Sequence, residues 1–227
     1  MRCRSCWSPA ASTTRRTGSA GCRAPCSGCS VELPPVTRRP RSVPPEQRQV
    51  YVQVVEGLLQ HGLKGQVSPR LRERLRQAGV DLDRPLLPLY PVPLWVRCLN
   101  IVVEEVYPNL PRAEGFARLA RAHVEGYGST LLGRAVMGVM RMLGPRRMVQ
   151  RLPEVLRGTD NYTEATLTER GPARYELHIN SSVDTPGYVE ALFEGLLAAG
   201  GAKAPRVTKV HDDGASSTYV LTWTPEP

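Results

Sequence analysis

The spacing of apolar residues changes once along the chain, near Gly158, and this change limits the folds open to it. Before Gly158 the apolar residues recur at the interval of an α-helix, and after it they alternate as on a β-strand. One helical pattern, which begins at Pro186, interrupts the strands. The sequence therefore predicts an α+β fold, with an amino-terminal helical subdomain followed by a ββαββ sheet layer.

Helix-start and helix-stop residues divide the first part into segments. Pro44-Pro45-Glu46 opens a helix that ends before Gly62, and Ser68, Pro69 and Gly79 frame a second one. A connector with four prolines, residues 83–93, excludes helix and separates these two from the rest. Further helices are predicted from Pro93 to Val106, from Pro111 through Tyr127, from Ser129 to Leu143 and, after Gly144-Pro145, toward Leu156.

The second part alternates apolar and polar residues on either side of turn residues. The chain turns back at Gly171-Pro172 to form a hairpin, Thr185 and Pro186 begin a helix, and strands 206–211 and 217–223 follow. We expect one globular α+β domain over residues 43–227, with a helical part (44–157) and a ββαββ part (161–224).

Residues 1–42 show neither the helical nor the alternating pattern of apolar residues, but they hold most of the chain's net positive charge. They carry eight arginines and one acid, and so account for seven of the nine net positive charges. We interpret this segment as an extension outside the fold, either disordered or lying upstream of the true translation start. The remaining net charge of about two is too small to neutralise many phosphates, so we predict no specific nucleic-acid binding.

The same segment contains five of the six cysteines. Cys3-x2-Cys6 and Cys26-x2-Cys29 resemble the paired ligands of a zinc ribbon. The residues between them lack the β-branched and aromatic alternation that a ribbon hairpin needs, and Cys22 is a fifth cysteine. A zinc site is thus the alternative, and our prediction is no metal and no cofactor.

The globular part shows no arrangement typical of a catalytic site. Among its histidines only His123 lies on an apolar helix stripe, where it is either a core residue bonded to a neighbour or a ligand for haem iron. Gly126-Tyr127-Gly128-Ser129-Thr130 lacks the lysine and the preceding strand of a phosphate loop. No apolar run approaches the roughly 20 residues of a membrane span, and we expect a cytoplasmic protein.

Several separated motifs resemble a paralogous family of unknown function that is expanded in myxobacteria. They are Gly79-Val80-Asp81-Leu82-Asp83-Arg84-Pro85-Leu86-Leu87-Pro88, Val124-Glu125-Gly126-Tyr127, Leu132-Gly133-Arg134, Gly144-Pro145-Arg146-Arg147 and Asn161-Tyr162-Thr163-Glu164. The resemblance covers about residues 46–224 and supplies no mechanism.

The order of helices followed by ββαββ is also similar to the superfamily of haem-based nitric-oxide sensors and vinyl-reductase-type ligand-binding domains. Their Tyr-x-Ser-x-Arg haem signature is absent, because Tyr175-Glu176-Leu177-His178-Ile179 stands on the comparable strand. The cysteine cluster of the vinyl-reductase type is also missing from the globular region. This resemblance implies an apolar cavity between the helices and the sheet.

We therefore predict a non-enzymatic small-molecule-binding sensor or protein-interaction module. Its ligand would be a hydrophobic small molecule contacted by Tyr127, Arg134 and Tyr162. The alternative is an enzyme that acts on a small apolar or tetrapyrrole-like substrate through the same residues. The fifth helix is apolar around much of its circumference, so it is either covered on all sides or meets a second copy in a homodimer.

Overall fold

The computed structural model describes residues 42–225 and confirms the α+β fold. Within this range the chain forms seven α-helices and two antiparallel sheets. The predictions about the amino-terminal extension and its cysteines concern residues 1–41 and fall outside the described residues.

The helical subdomain contains six helices. Helix α1 continues into a π-helical turn over Gly57–Gly62, and α5 contains a kink at Gly144, where φ is 74° and Pro145 follows. The helices are α1 (Val52–Glu56), α2 (Pro69–Ala78), α3 (Val92–Val106), α4 (Arg112–Ser129), α5 (Leu131–Gln150) and α6 (Leu152–Arg157). The Ser68 hydroxyl accepts a hydrogen bond from the Leu71 N–H, and Gly79 ends α2 with a φ of 113°, as the sequence predicts.

The predicted first helix begins too early. Strand β1 (Gln49–Tyr51) precedes α1 and pairs with β2 (Leu89–Pro91), which lies in the proline-rich connector. The Val92 N–H also donates to the Arg48 carbonyl, so the connector offers partners for an extended backbone there. Val50 and Tyr51 favour a strand, and these long-range hydrogen bonds decide the conformation.

The second sheet has four strands in the order β3-β4-β6-β5. Its strands are β3 (Ala165–Gly171), β4 (Arg174–Ile179), β5 (Lys203–Asp212) and β6 (Ser217–Thr224), and helix α7 (Tyr188–Ala199) packs on one face. The buried residues of β4 and β6 alternate along each strand, so one face of the sheet covers the core.

Thr185 does not cap α7, contrary to the sequence prediction. The helix begins at Tyr188, and its N-cap is Gly187, whose φ of 79° places it in the left-handed region. A Cβ on Gly187 would lie 2.9 Å from the Ala113 carbonyl oxygen. Both the backbone conformation and the contact with α4 therefore favour glycine at this position. The Thr185 side chain makes no capping hydrogen bond to α7.

Two hydrophobic cores form, one in the helical subdomain and one between α7 and the four-stranded sheet. Val189 and Leu192 of α7 contact both cores. Helix α4 also lies directly against the π-helical turn that follows α1. A Cβ on Gly126 would be 2.2 Å from the Gly57 carbonyl oxygen, so the two backbones meet with no side chain between them.

Helix α5 is not covered on all sides. Leu131, Val139 and Met142 are 82%, 57% and 89% exposed, whereas Met140 is buried. This excludes the first of the two explanations for its apolar circumference, and leaves a solvent-facing apolar stripe on α5. No helix in the described part of the chain is long and apolar enough to cross a membrane.

Candidate functional site

A cavity of about 430 Å³ lies where the two cores meet. This volume falls within the range of small-molecule sites, which is about 300–1,000 Å³. Most of the side chains on its wall are apolar, and they come from α1, α3, α4, α5, α6, α7 and β4. The lining residues include Val54, Trp95, Leu99, His123, Tyr127, Val136, Met137, Glu154, Val155, Asp160, Tyr162, Ile179, Thr185, Tyr188, Leu192 and Leu196.

The loop from Thr159 to Thr163 forms one end of the cavity, and Asp160 organises it. One carboxylate oxygen of Asp160 accepts hydrogen bonds from the N–H groups of Tyr162 (3.0 Å) and Thr163 (2.6 Å). The other accepts the Thr163 hydroxyl at 2.6 Å. Because these bonds are internal to the loop, the buried carboxylate holds the backbone in shape and its oxygens already have partners.

His123 and Tyr188 form a buried polar pair in the wall. The His123 Nδ1 lies 2.5 Å from the Tyr188 hydroxyl, and the Trp95 ring meets the imidazole edge-on. Burial lowers the pKa of His123 to about 4, against a weaker opposite effect of the Val54 carbonyl. Burial also raises the pKa of Tyr188. Both groups are therefore neutral near pH 7.

Thr185 is the wall residue whose polar group is left without a partner. Its side chain is 3% exposed, and its hydroxyl makes no hydrogen bond to any described residue. Its backbone groups do have hydrogen-bond partners: the Thr185 N–H donates to the Val183 carbonyl, and the Thr185 carbonyl accepts from the Tyr188 N–H. A buried hydroxyl without a partner costs about 1–3 kcal/mol, so this group calls for an explanation.

No lysine or arginine of the described residues lines the cavity. The two charged groups on its wall are acidic: Asp160, and Glu154, which pairs with Arg151 at 2.8 Å. The guanidinium of Arg48 lies over the outer part of this region, at 5.1 Å from the centroid of the Tyr162 ring. The described residues thus offer no cation on the wall with which to neutralise an acidic ligand.

The structure brings together two of the three predicted site residues. Tyr127 and Tyr162 both line the cavity, and burial, followed by the charge of Asp160, raises the pKa of Tyr162 to about 12. Arg134 lies away from it: the side chain is exposed, and its guanidinium donates to the Ser129 carbonyl at 2.8 Å. Arg134 therefore supports the start of α5.

Thr185 and Ile179 were not among the predicted site residues, although both line the cavity. Ile179 had a signal, because it continues the apolar face of its hairpin strand. The sequence signal at Thr185 was misleading, because a threonine that precedes a proline and an apolar stripe is typical of a helix N-cap.

No group of three or more metal-ligating side chains forms between residues 42 and 225. Cys98 is a free cysteine in the helical core, and burial raises the pKa of its thiol to about 11. It is therefore a protonated core residue at neutral pH.

Comparison with known proteins places the fold. Residues 48–224 match the sequence model of a family described as "Protein of unknown function (DUF2378)". No curated protein matches the chain in sequence.

Solved structures, several of them described as H-NOX proteins, share the fold at low sequence identity. A single-residue variant of Tt H-NOX is 15% identical with a TM-score of 0.60, covering 77% of this chain and 95% of that one. A structure described by haem redox potential and porphyrin distortion is 15% identical with a TM-score of 0.56, covering 76% and 99%. The Fe(II) unliganded H-NOX protein from K. algicida is 8% identical with a TM-score of 0.55, covering 77% and 96%.

Proposed function

Because the chain belongs to the family of unknown function DUF2378, we propose its role from the cavity itself: a non-enzymatic module that binds a hydrophobic small molecule and acts as a sensor. The observation that carries this proposal is the apolar cavity between the helical core and the sheet core. An apolar molecule placed there would remove both its own surface and that of the wall from water. One structure with this fold is described by its haem redox potential and another as an Fe(II) H-NOX protein, and this supports a binding role for the fold.

The residues on the wall do not fit a haem. Among the described wall residues the one histidine is His123; it is bonded through Nδ1 to Tyr188, and its ring also makes a hydrogen bond with the Val54 backbone. Neither ring nitrogen is free to bind iron from the cavity. Haem propionates are anionic, yet the wall offers Asp160 and Glu154 and no described lysine or arginine. The ligand we propose is therefore not a haem.

Helix α5 supports the sensor part of the proposal. Val136 and Met137 line the cavity, whereas Val139 and Met142 lie on the exposed stripe of the same helix. One helix thus joins the ligand site to an apolar surface. A shift of α5 on binding would alter that surface, which is how a binding module can signal to a partner.

An enzyme acting on an apolar or tetrapyrrole-like substrate is the alternative. General acid–base catalysis near neutral pH needs a group whose pKa lies close to that pH. Burial instead lowers the pKa of His123 to about 4 and raises the pKa of Tyr162 to about 12. Near neutral pH the imidazole therefore stays neutral and the phenol stays protonated. These values support binding over turnover.

Filling the cavity should abolish binding. We expect Val136→Trp to reduce the affinity for N-phenyl-1-naphthylamine, a neutral apolar fluorophore, by at least about tenfold, because the indole would occupy the site. Fluorescence titration of the protein after removal of bound lipids measures this. Val139→Trp is the matched control: it adds the same group to the exposed side of the same helix. Equal affinity in the two variants, or no binding by the unchanged protein, would contradict the proposal.

We also propose that the exposed stripe of α5 joins two copies of the chain. Gly138 lies on this helix, and a Cβ there would meet no described atom within 4 Å, which leaves room for a second helix to approach. Met142→Glu, at an 89% exposed position, should convert the dimer into a folded monomer in sedimentation. If the unchanged protein already sediments as a monomer at high micromolar concentration, the dimer is wrong.

A further inference from the structure

The unpartnered hydroxyl of Thr185 narrows the class of ligand. The other buried polar groups on the wall are already engaged: Asp160 with its own loop, and His123 with Tyr188. Thr185 alone combines near-complete burial, a place on the wall and a hydroxyl without a described partner. The hydroxyl oxygen has almost no accessible surface of its own, so a rotation about χ1 would be needed to present it to a ligand. An apolar molecule with one polar group could give that hydroxyl its missing hydrogen bond.

We propose, on the basis of the binding role above, that the ligand is uncharged and mostly apolar and carries one hydroxyl or carbonyl that hydrogen-bonds to Thr185. Thr185 is then the residue that fixes the ligand's orientation. The hydroxyl of threonine can donate or accept, so it suits either group.

The charges of the described wall residues disfavour an ionised ligand. A ligand with a carboxylate would have to move that group from water into the cavity. The wall there holds no described lysine or arginine and includes the Asp160 carboxylate. An ammonium group would find both oxygens of Asp160 turned to the loop backbone and to Thr163. Burying a charge without a partner is strongly unfavourable.

The volume of the cavity sets the size. A bonded non-hydrogen atom takes up no more than the roughly 30 Å³ of a water molecule in the liquid, so about 430 Å³ accommodates at least about 14 of them. A medium-chain alcohol, aldehyde or ketone, or a compact terpenoid of similar size, satisfies both the volume and the single polar group.

The test compares 1-decanol with decanoate at pH 8 as competitors of N-phenyl-1-naphthylamine. They share a ten-carbon chain and differ in the charge of the polar end. We expect 1-decanol to bind the unchanged protein at least about tenfold more tightly than decanoate. Thr185→Val, which keeps the shape and removes the hydroxyl, should weaken 1-decanol about five- to tenfold. Thr185→Ser should retain most of the affinity.

A second readout guards against a purely structural effect. Without ligand, Thr185→Val should melt at the same temperature as the unchanged protein or higher, because it removes an unsatisfied buried hydroxyl. Equal affinity of 1-decanol for the protein and for Thr185→Val would overturn the Thr185 contact. Equal affinity of decanoate and 1-decanol would overturn the claim that the ligand is uncharged. Either result leaves the binding role intact if Val136→Trp still blocks the fluorophore, whereas loss of that block refutes the binding role itself.

Discussion

Replacing Gly126 by alanine should remove at least about 3 kcal/mol from the free energy of unfolding. The new Cβ would lie 2.2 Å from the Gly57 carbonyl oxygen and 2.3 Å from the Gly62 nitrogen, both backbone atoms that no side-chain rotation can clear. Overpacking against a rigid backbone lies at the upper end of the usual cost. Urea unfolding at pH 7 measures the change.

Gly128→Ala is the matched control, because it makes the same substitution two residues further along α4. Its Cβ would lie 3.8 Å from the Met137 Cγ, an ordinary van der Waals distance, and alanine is the better helix former by about 0.5–1 kcal/mol. We therefore expect a small gain in stability from Gly128→Ala. The close contact between α4 and the π-helical turn is wrong if both variants unfold at the same urea concentration.

The buried imidazole of His123 should make the fold sensitive to acid. Its folded pKa is about 4, below the ordinary value of 6.5. Below pH 6.5 the unfolded chain takes up a proton that the folded chain does not, so stability falls with pH until the folded pKa is reached. At about 1.4 kcal/mol per pH unit, we expect a loss of about 2 kcal/mol between pH 7 and pH 5.

Two variants test the assignment of this loss to His123. His123→Gln should remove most of the pH dependence between pH 7 and pH 5, whatever its stability at pH 7. His178→Gln, at an exposed position on β4, should leave that dependence unchanged. If His123→Gln retains the full slope, another group is responsible and the neutral buried imidazole is wrong.

Much of the fold could be predicted because local signals agree with the tertiary contacts. Helix α2 begins after Ser68, with Pro69 as its first residue, and ends at Gly79, in the structure as in the sequence prediction. The alternation of Tyr175, Leu177 and Ile179 likewise marks the buried face of β4. The short ribbon of β1 and β2 could not be predicted in this way. Its strands have three residues each, too few for a period to show, and its hydrogen bonds join segments some 40 residues apart.

The candidate site could be predicted only in part, because its wall comes from many distant segments. Tyr127 and Tyr162 were predicted as ligand contacts from motifs, and both line the cavity. Arg134 belongs to a similar motif, but the cap at Thr130 sets the rotation of α5 so that this side chain points outward. The sequence did not predict Thr185 as a site residue. In the structure Gly187 is the N-cap of α7, so the Thr185 hydroxyl does not cap the helix and has no described partner.

Native mass spectrometry of the protein isolated from its own organism tests the central claim most directly. We expect a discrete added mass smaller than that of a haem, lost on denaturation and absent from Val136→Trp. The extracted compound should be uncharged, with a chain or ring system of the size that about 430 Å³ permits. An added mass of one haem, or the same adduct on Val136→Trp, would contradict the account.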